Sequence, residues 1–259
     1  VNEKVMSLSE HLASAEKERK GVEPVTSLNP DLAIREAYDI QLTTIEQKVS
    51  KGEAIVGKKI GLTSKAMQEL LGVSEPDYGH LLTSMEVKDK GIISRKQVMQ
   101  PKVEGEIAFI LKRDLKGPGI TTEDVLEATE FVAPALEIVD SRIQDWKITL
   151  ADTIADNASS GLFILGNNKR SLNEIDLVEE EMVFYKNDEE MNRGKGSAAL
   201  GNPAYCVAWL ANKLSEYDIT LKAGEIILSG ALSAAVDAAP GDQFKAVFPY
   251  LGEVEVSFA

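Results

Sequence analysis

The chain has 259 residues, 44% hydrophobic and 27% charged, with 42 acidic against 28 basic side chains and a formal net charge of −14. That length can bury a real core, as one large domain or as a small domain joined to a larger one. The charge argues against nucleic acid and anionic membrane surfaces as partners; an acidic substrate stays open, because a divalent ion and a few local Lys or Arg side chains can reverse the sign inside one pocket.

Cys206 is the single cysteine, so no intrachain disulfide can form, and its apolar surroundings read as a small core residue. A polar, charged start and no apolar run near ~18 residues lead to the expectation of a cytoplasmic protein without signal peptide or membrane span.

Residues 7–20 read as a helix with Leu8, Leu12 and Ala15 on one side. A second helix is expected from the Asn29-Pro30 cap, with Tyr38, Leu42, Ile45 and Val49 on its apolar face and Gly52 as its stop. Residues 54–63 read as a strand with glycine on either side of the Lys58-Lys59 pair. Ser64 then caps a short helix whose inner side is Met67, Leu70 and Leu71, with Gly72 at its end. Pro76-Asp77-Tyr78-Gly79-His80 reads as a turn.

From about Gln100 onward strand patterns dominate, over 102–112, 131–139, 161–166, 181–186, 225–230 and 243–258, the last turning near Gly252. Asn202-Pro203 opens a helix with Val207, Leu210, Ala211 and Leu214 on one face. Gly194-Lys195-Gly196 reads as a loop and lacks the spacing of a phosphate-binding loop.

The segment 103–111 carries the most chemistry. With period two, Val103, Ile107, Phe109 and Leu111 face one way, and Glu104 and Glu106 share the other face with Ala108 and Ile110. A Glu-x-Glu pair is commonly a solvated polar face. Apolar residues on both faces point instead to a covered strand, whose carboxylates need a cation or hydrogen-bond donors. Their Cα atoms lie roughly 6–7 Å apart, so both side chains can converge on one ion. Glu137 sits in a similar apolar run. Three carboxylates without nearby His or Cys suit Mg²⁺ or Mn²⁺ better than zinc. Residues 152–161 add small and hydrogen-bonding side chains ahead of an apolar strand, a pattern that serves as a pocket wall or, for Asp156-Asn157, simply as a turn or cap.

Gly57-Lys58-Lys59-Ile60-Gly61-Leu62-Thr63-Ser64, Pro76-Asp77-Tyr78-Gly79, Pro101-Lys102-Val103-Glu104-Gly105-Glu106, Glu137-Ile138-Val139-Asp140-Ser141-Arg142 and Asp156-Asn157-Ala158-Ser159 follow one another along the chain. In that order they resemble the 2-hydroxypenta-2,4-dienoate (2-oxopent-4-enoate) hydratases. Those enzymes act in bacterial meta-cleavage of aromatic compounds and belong to the fumarylacetoacetate hydrolase superfamily. The resemblance implies an α+β fold: a small N-terminal α/β region, 1–75, and a larger C-terminal mixed β-roll, the β-rich catalytic domain, 76–259. It implies Mg²⁺ or Mn²⁺ held by Glu104, Glu106 and Glu137, and a homo-oligomer. Lys59 matches the family's active-site lysine, Asp77 and Asp156 are the acid/base candidates, and Leu62, Asn157 and Ser159 are the substrate-binding candidates.

The chemistry so implied is hydration of a small 2-oxo acid. The carboxylate and keto oxygens chelate one divalent ion, which acts as a Lewis acid at C2, and water adds at C4 to give 4-hydroxy-2-oxopentanoate. The related 4-oxalocrotonate decarboxylases share this logic, and Ala234-Ala235-Val236-Asp237-Ala238-Ala239-Pro240-Gly241-Asp242 resembles them more, whereas Asp145-Trp146-Lys147-Ile148 resembles the hydratases. A complex with the pathway's paired decarboxylase or hydratase is a further implication. A non-catalytic cation-binding protein is the reading from another class; it would need neither Lys59 nor Asp156.

Overall fold

A computed structural model describes residues 2–259, apart from the side chains of Ala66, Leu70 and Leu71. Helix α1 (Glu3–Glu18) is capped by Asn2, whose Oδ1 accepts from Lys4 N at 3.1 Å, and it buries Val5, Leu8, Leu12 and Ala15 at helical spacing. The cap sets its start several residues earlier than the apolar pattern suggested. A single turn, α2 (Val25–Leu28), precedes α3 (Ile34–Ser50).

The Asn29-Pro30 pair does not start α3. Asn29 N closes α2 onto Val25 O, and Leu32 N turns back to Asn29 O, so the cap residue belongs to the preceding turn. The buried face of α3 is Ala37, Tyr38, Ile40, Gln41 and Ile45; Leu42 is half-buried and Val49 exposed. Gln41 works as a tie. Its Nε2 donates to Tyr78 O and Ile154 O, and its Oε1 faces His80 Nδ1 at 3.1 Å.

Strand β1 (Ile55–Gly61) leads into α4 (Lys65–Leu71), where Ser64 Oγ accepts from Met67 N and Gly72 ends the helix at φ +65°. Met67 is exposed, and the Leu70 and Leu71 side chains lie outside the described residues. The stretch expected as a turn at 76–80 is instead the start of β2 (Asp77–Leu82), buried along its whole length. It pairs antiparallel with β1, Gly61 opposite Asp77 and Lys59 opposite Gly79. Burial on both faces removes the polar/apolar alternation that would have marked it.

After β3 (Glu86–Lys88) and β4 (Gly91–Ile93) come β5 (Lys102–Leu111), α5 (Thr122–Ala128), β6 (Thr129–Val139), α6 (Leu150–Ala155) and β7 (Ser160–Leu165). Then follow β8 (Glu181–Lys186), β9 (Glu189–Lys195), α7 (Pro203–Ser215), β10 (Ile226–Ala231), β11 (Val236–Asp237), β12 (Gln243–Phe248) and β13 (Gly252–Phe258). Gly194 and Lys195, expected in a loop, close β9. A Cβ on Gly194 would lie 2.1 Å from Leu232 O, so only glycine lets this strand end approach so closely. Helix α7 matches expectation, with Asn202 as its cap, Pro203 in its first turn, and Cys206, Val207, Leu210, Ala211 and Leu214 buried.

Two sheets result. The larger has the order β2-β1-β10-β5-β6-β7-β3, with β11 also on β5; the smaller runs β4-β13-β12-β8-β9. One face of β5, with Val103, Ile107 and Phe109, packs toward the smaller sheet's Phe184, Phe244 and Val256 in the main core. Gly105 makes the close approach there: a Cβ on it would lie 2.3 Å from Met182 Sδ. Ala108 and Ile110, on the opposite face, belong to a second apolar cluster with Phe163 and Leu228. This is an α+β roll under a helical layer. The division expected at residue 75 separates β1 from β2, hydrogen-bonded neighbours in one sheet; the helical layer ends before Ile55. Among the described residues no helix is long and apolar enough to cross a membrane.

Candidate active site

Register brings the charged side chains together. Glu104 of β5 stands directly opposite Glu137 of β6, so both point to the same face, and Glu106 follows two residues along. On the other side of β5, Ala108 aligns with Leu228 of β10, Leu228 with Lys59 of β1, and Gly61 with Asp77 of β2. Lys59, Asp77, Glu104, Glu106 and Glu137 therefore share one sheet face, although they are scattered over almost 80 residues of sequence. A register break in β10 between Leu228 and Ala231 frees Gly230 N, which donates to Glu106 Oε2 at 2.9 Å.

The ligand oxygens of Glu104, Glu106 and Glu137 lie within 4.8 Å of one another. Glu137 Oε1 is 2.9 Å from Lys59 Nζ, at ion-pair distance without hydrogen-bond geometry. Glu106 Oε1 and Glu137 Oε2 are buried with no hydrogen-bond partner among the described residues. Carboxylate oxygens that converge without other partners fit a hard divalent cation, which takes oxygen ligands.

Electrostatics agree with that fit. Burial and the neighbouring Glu137 push Glu104 up to about 7, and burial with Glu137 and Glu104 raises Glu106 well above the carboxylate range. Asp77 is pushed up to about 6, first by burial and then by Glu137, with Lys59 opposing. Burial works against the charge on Lys59, yet Glu137, Asp77 and Glu104 outweigh it and hold the amine above the usual lysine range.

Lys59, Asp77 and Glu104 line a cavity of about 630 Å³, with Glu106 and Glu137 clustered beside Glu104. Gly61 makes room for Asp77: a Cβ there would meet Asp77 Oδ1 at 2.3 Å and stand 3.6 Å from Lys59 Nζ. Leu62, Ala158 and Ser159 line the wall, as do Thr153, Trp146 and Ile148. Lys102 also lines it, but its Nζ already lies 2.7 Å from Asp237 Oδ1 and 5.5 Å from the Trp146 ring centroid.

Seven of the nine residues expected from sequence thus gather at this site: Lys59, Leu62, Asp77 and Ser159 with the three glutamates. Asp156 and Asn157 do not line the cavity. Asp156 is the partner of a buried arginine, Oδ1 2.5 Å from Arg142 Nε and Oδ2 accepting from Arg142 N and Ser141 Oγ. Asn157 holds β2, its Oδ1 accepting from His80 N and its Nδ2 donating to His80 O. Thr153 belongs to the 152–161 stretch read as a pocket wall, without a role of its own in the sequence, and the structure places it in that wall. Its signal is its position on α6, one helical turn before Asp156 and facing Ser159, whose Oγ is 3.3 Å from Thr153 Oγ1. The Lys58–Glu225 pair, at 2.6 Å, lies on the opposite sheet face from Lys59 and gave no local signal, because its partner is 167 residues away.

Comparison with known proteins adds independent findings. Residues 67–259 match the family described as fumarylacetoacetate (FAA) hydrolase, C-terminal. The chain is 47% identical over 251 residues to the 2-hydroxyhexa-2,4-dienoate hydratase of Comamonas testosteroni, covering 96% of this chain and 95% of that one. It is 49% identical over 216 residues to a 2-hydroxypent-2,4-dienoate hydratase of Pseudomonas putida, covering 83% and 97%. Its structure is similar to the 4-oxalocrotonate decarboxylase from Pseudomonas putida G7 complexed with magnesium and adipate, with a TM-score of 0.97, 39% identity and coverage of 100% and 98%.

Proposed function

This chain belongs to the fumarylacetoacetate hydrolase family, and from that premise we propose that it is a hydro-lyase converting 2-hydroxypenta-2,4-dienoate to 4-hydroxy-2-oxopentanoate. The observation that carries the reading is Lys59 and Asp77 lining a largely apolar cavity that a three-carboxylate cluster reaches through Glu104. Glu104, Glu106 and Glu137 would hold the ion, Mg²⁺ or Mn²⁺, which when bound would supply Lewis-acid polarisation of a 2-oxo acid.

The protein's own groups do the rest. Lys59 places a fixed ammonium where negative charge gathers on the C2 oxygen. Asp77, beside it, is the proton carrier: C5 of the dienol gains a proton as the C2 hydroxyl loses one, leaving a C3–C4 double bond conjugated with the ketone. Water then gives its hydroxyl to C4 and its proton to C3. Ser159 and Thr153 orient substrate and water, and Leu62 packs on the carbon chain. In this reading the two-sheet body from residue 76, with β1, is the catalytic unit. The protein works in the cytoplasm as a homo-oligomer, with a complex with the paired pathway enzyme as a further element.

The decarboxylase reading, 2-oxo-3-hexenedioate to 2-hydroxypenta-2,4-dienoate and CO₂, is favoured by the TM-score of 0.97 to a 4-oxalocrotonate decarboxylase and by Lys102 in the cavity wall. Product analysis of purified protein with Mg²⁺ or Mn²⁺ separates the two. Conversion of freshly made 2-hydroxypenta-2,4-dienoate to 4-hydroxy-2-oxopentanoate is expected. CO₂ release from 2-oxo-3-hexenedioate, with the dienoate left unhydrated, would replace the hydratase by the decarboxylase.

A further inference from the structure

The cavity wall contains an unusual piece of backbone. Asn157, Ala158 and Ser159 have φ of 55°, 50° and 54°, three consecutive non-glycine residues in the left-handed region. There each Cβ crowds a carbonyl oxygen, so such residues occur singly and a run persists only where its surroundings over-determine it. The middle and last of the three line the cavity.

Arg142 supplies the restraint from beneath. Its Nη2 donates to Asp156 O and its Nη1 to Ser160 O at 2.7 Å, the carbonyls that bracket the turn. Nη1 also reaches Asp140 O at 2.7 Å, and Nε holds Asp156 Oδ1. From the other side β2 closes on the turn: Asn157 is bonded to both backbone groups of His80, and a Cβ on Gly79 would lie 2.4 Å from Asn157 O.

We propose that Arg142 and Asp156 form a clamp that keeps Asn157-Ala158-Ser159 left-handed and so sets the place of Ala158 and the Ser159 hydroxyl in the cavity. Both are positioning residues. Asp156 exchanges no proton with substrate, because Arg142 and Ser141 occupy both of its oxygens and it does not line the cavity. The role of the turn in turnover rests on the hydratase reading above.

The test uses Asp156→Asn and Arg142→Lys, each alone and combined with Ala158→Gly, in the full chain. The single variants are expected to raise KM about tenfold or more, to keep the shape of the pH–rate profile, and to keep the Mg²⁺ midpoint measured by thermal melting. Ala158→Gly, which removes the left-handed penalty at one residue, is expected to recover about tenfold in either background. Loss of one limb of the profile in Asp156→Asn with KM unchanged would make Asp156 an acid/base and overturn the clamp. Absence of recovery by Ala158→Gly would overturn it too. If Arg142→Lys fails to fold, Ser141→Ala, which removes one partner of Asp156, takes its place. If the wild type does not hydrate the dienoate, the functional reading has failed separately, and the same variants are compared by calorimetric titration of oxalate with Mg²⁺ present: weaker binding recovered by Ala158→Gly supports the clamp, and unchanged binding rejects it.

Discussion

The buried His80 makes acid stability a sharp test of how β2 is held. Its ring is buried, and Gln41 has used its amide nitrogen on Tyr78 O and Ile154 O, so Gln41 Oε1 accepts from His80 Nδ1. Burial, and then the charge of Lys58, depress it from 6.5 to about 3. An unfolded chain binds a proton there below its ordinary value while the folded chain refuses it, so protons pull the equilibrium toward unfolding between those two values. No such loss operates above pH 6.5. From pH 7 to pH 5 the linkage relation gives a loss of about 2 kcal/mol from this one group. Urea unfolding at the two pH values, for wild type and His80→Gln, isolates it: other acid-sensitive groups contribute to both proteins, and the fall should be about 2 kcal/mol smaller in the variant. Equal falls would mean that the ring takes up its proton in the folded state, and that Gln41 and Lys58 do not hold it as described.

Lys58→Met leaves Glu225 buried without its partner and should cost about 3–5 kcal/mol in urea unfolding, part of it recovered by adding Glu225→Gln. Lys59→Met is expected to lower kcat by about 10²–10³ while Mg²⁺ binding, followed by calorimetry, persists; loss of the ion as well would move Lys59 into the metal-holding set. Saturating Mg²⁺ at about 100 times its Kd should add about 2.7 kcal/mol, and chelation should lower Tm by roughly 5–10 °C, reversibly, with the same shift absent in Glu106→Gln. Gly61→Ala puts a methyl on Asp77 and should reduce turnover more than stability, read as kcat against the urea midpoint.

What could be read in the sequence was what local periodicity carries. The two faces of β5 follow from its alternation, and its glutamates could be paired with Glu137 because both runs are apolar and strands of such a kind are covered. The start of β2 gave no alternation, because Asp77, Gly79 and His80 are buried polar or small residues whose reasons for burial are Lys59, Asn157 and Gln41, all distant in sequence. Asp77 is legible in the sequence through the resemblance alone. Asp156 enters as an acid/base candidate for the same kind of reason: the sequence displays a carboxylate next to Asn157 and Ser159 and gives no sign of its pairing with the arginine 14 residues earlier. Long-range pairing, not residue type, decides which carboxylate faces the cavity.

The charge of the cavity bears on which substrate it accepts. Among the described residues Asp77 and Glu104 line it, with Glu106 and Glu137 clustered beside Glu104, against the ammonium of Lys59, and burial with mutual repulsion raises both Glu104 and Glu106. A divalent ion held by the three glutamates would offset most of the excess negative charge, and a 2-oxo acid would then enter beside Lys59 as a monoanion. A second carboxylate at the far end of the substrate would need its own cation. The one other ammonium on the wall, Lys102, is paired with Asp237 at 2.7 Å, so a dianion would have to take it from that partner while a monoanion leaves the pair intact. The pair is half-exposed on the lysine side and open on the aspartate side, where an ion pair contributes at most about 1 kcal/mol. It therefore tilts selection toward the monoanion without forbidding the dianion. Asp237→Asn should accordingly improve turnover of 2-oxo-3-hexenedioate relative to 2-hydroxypenta-2,4-dienoate by no more than about fivefold, and a larger change would mean that Asp237 itself blocks a distal carboxylate.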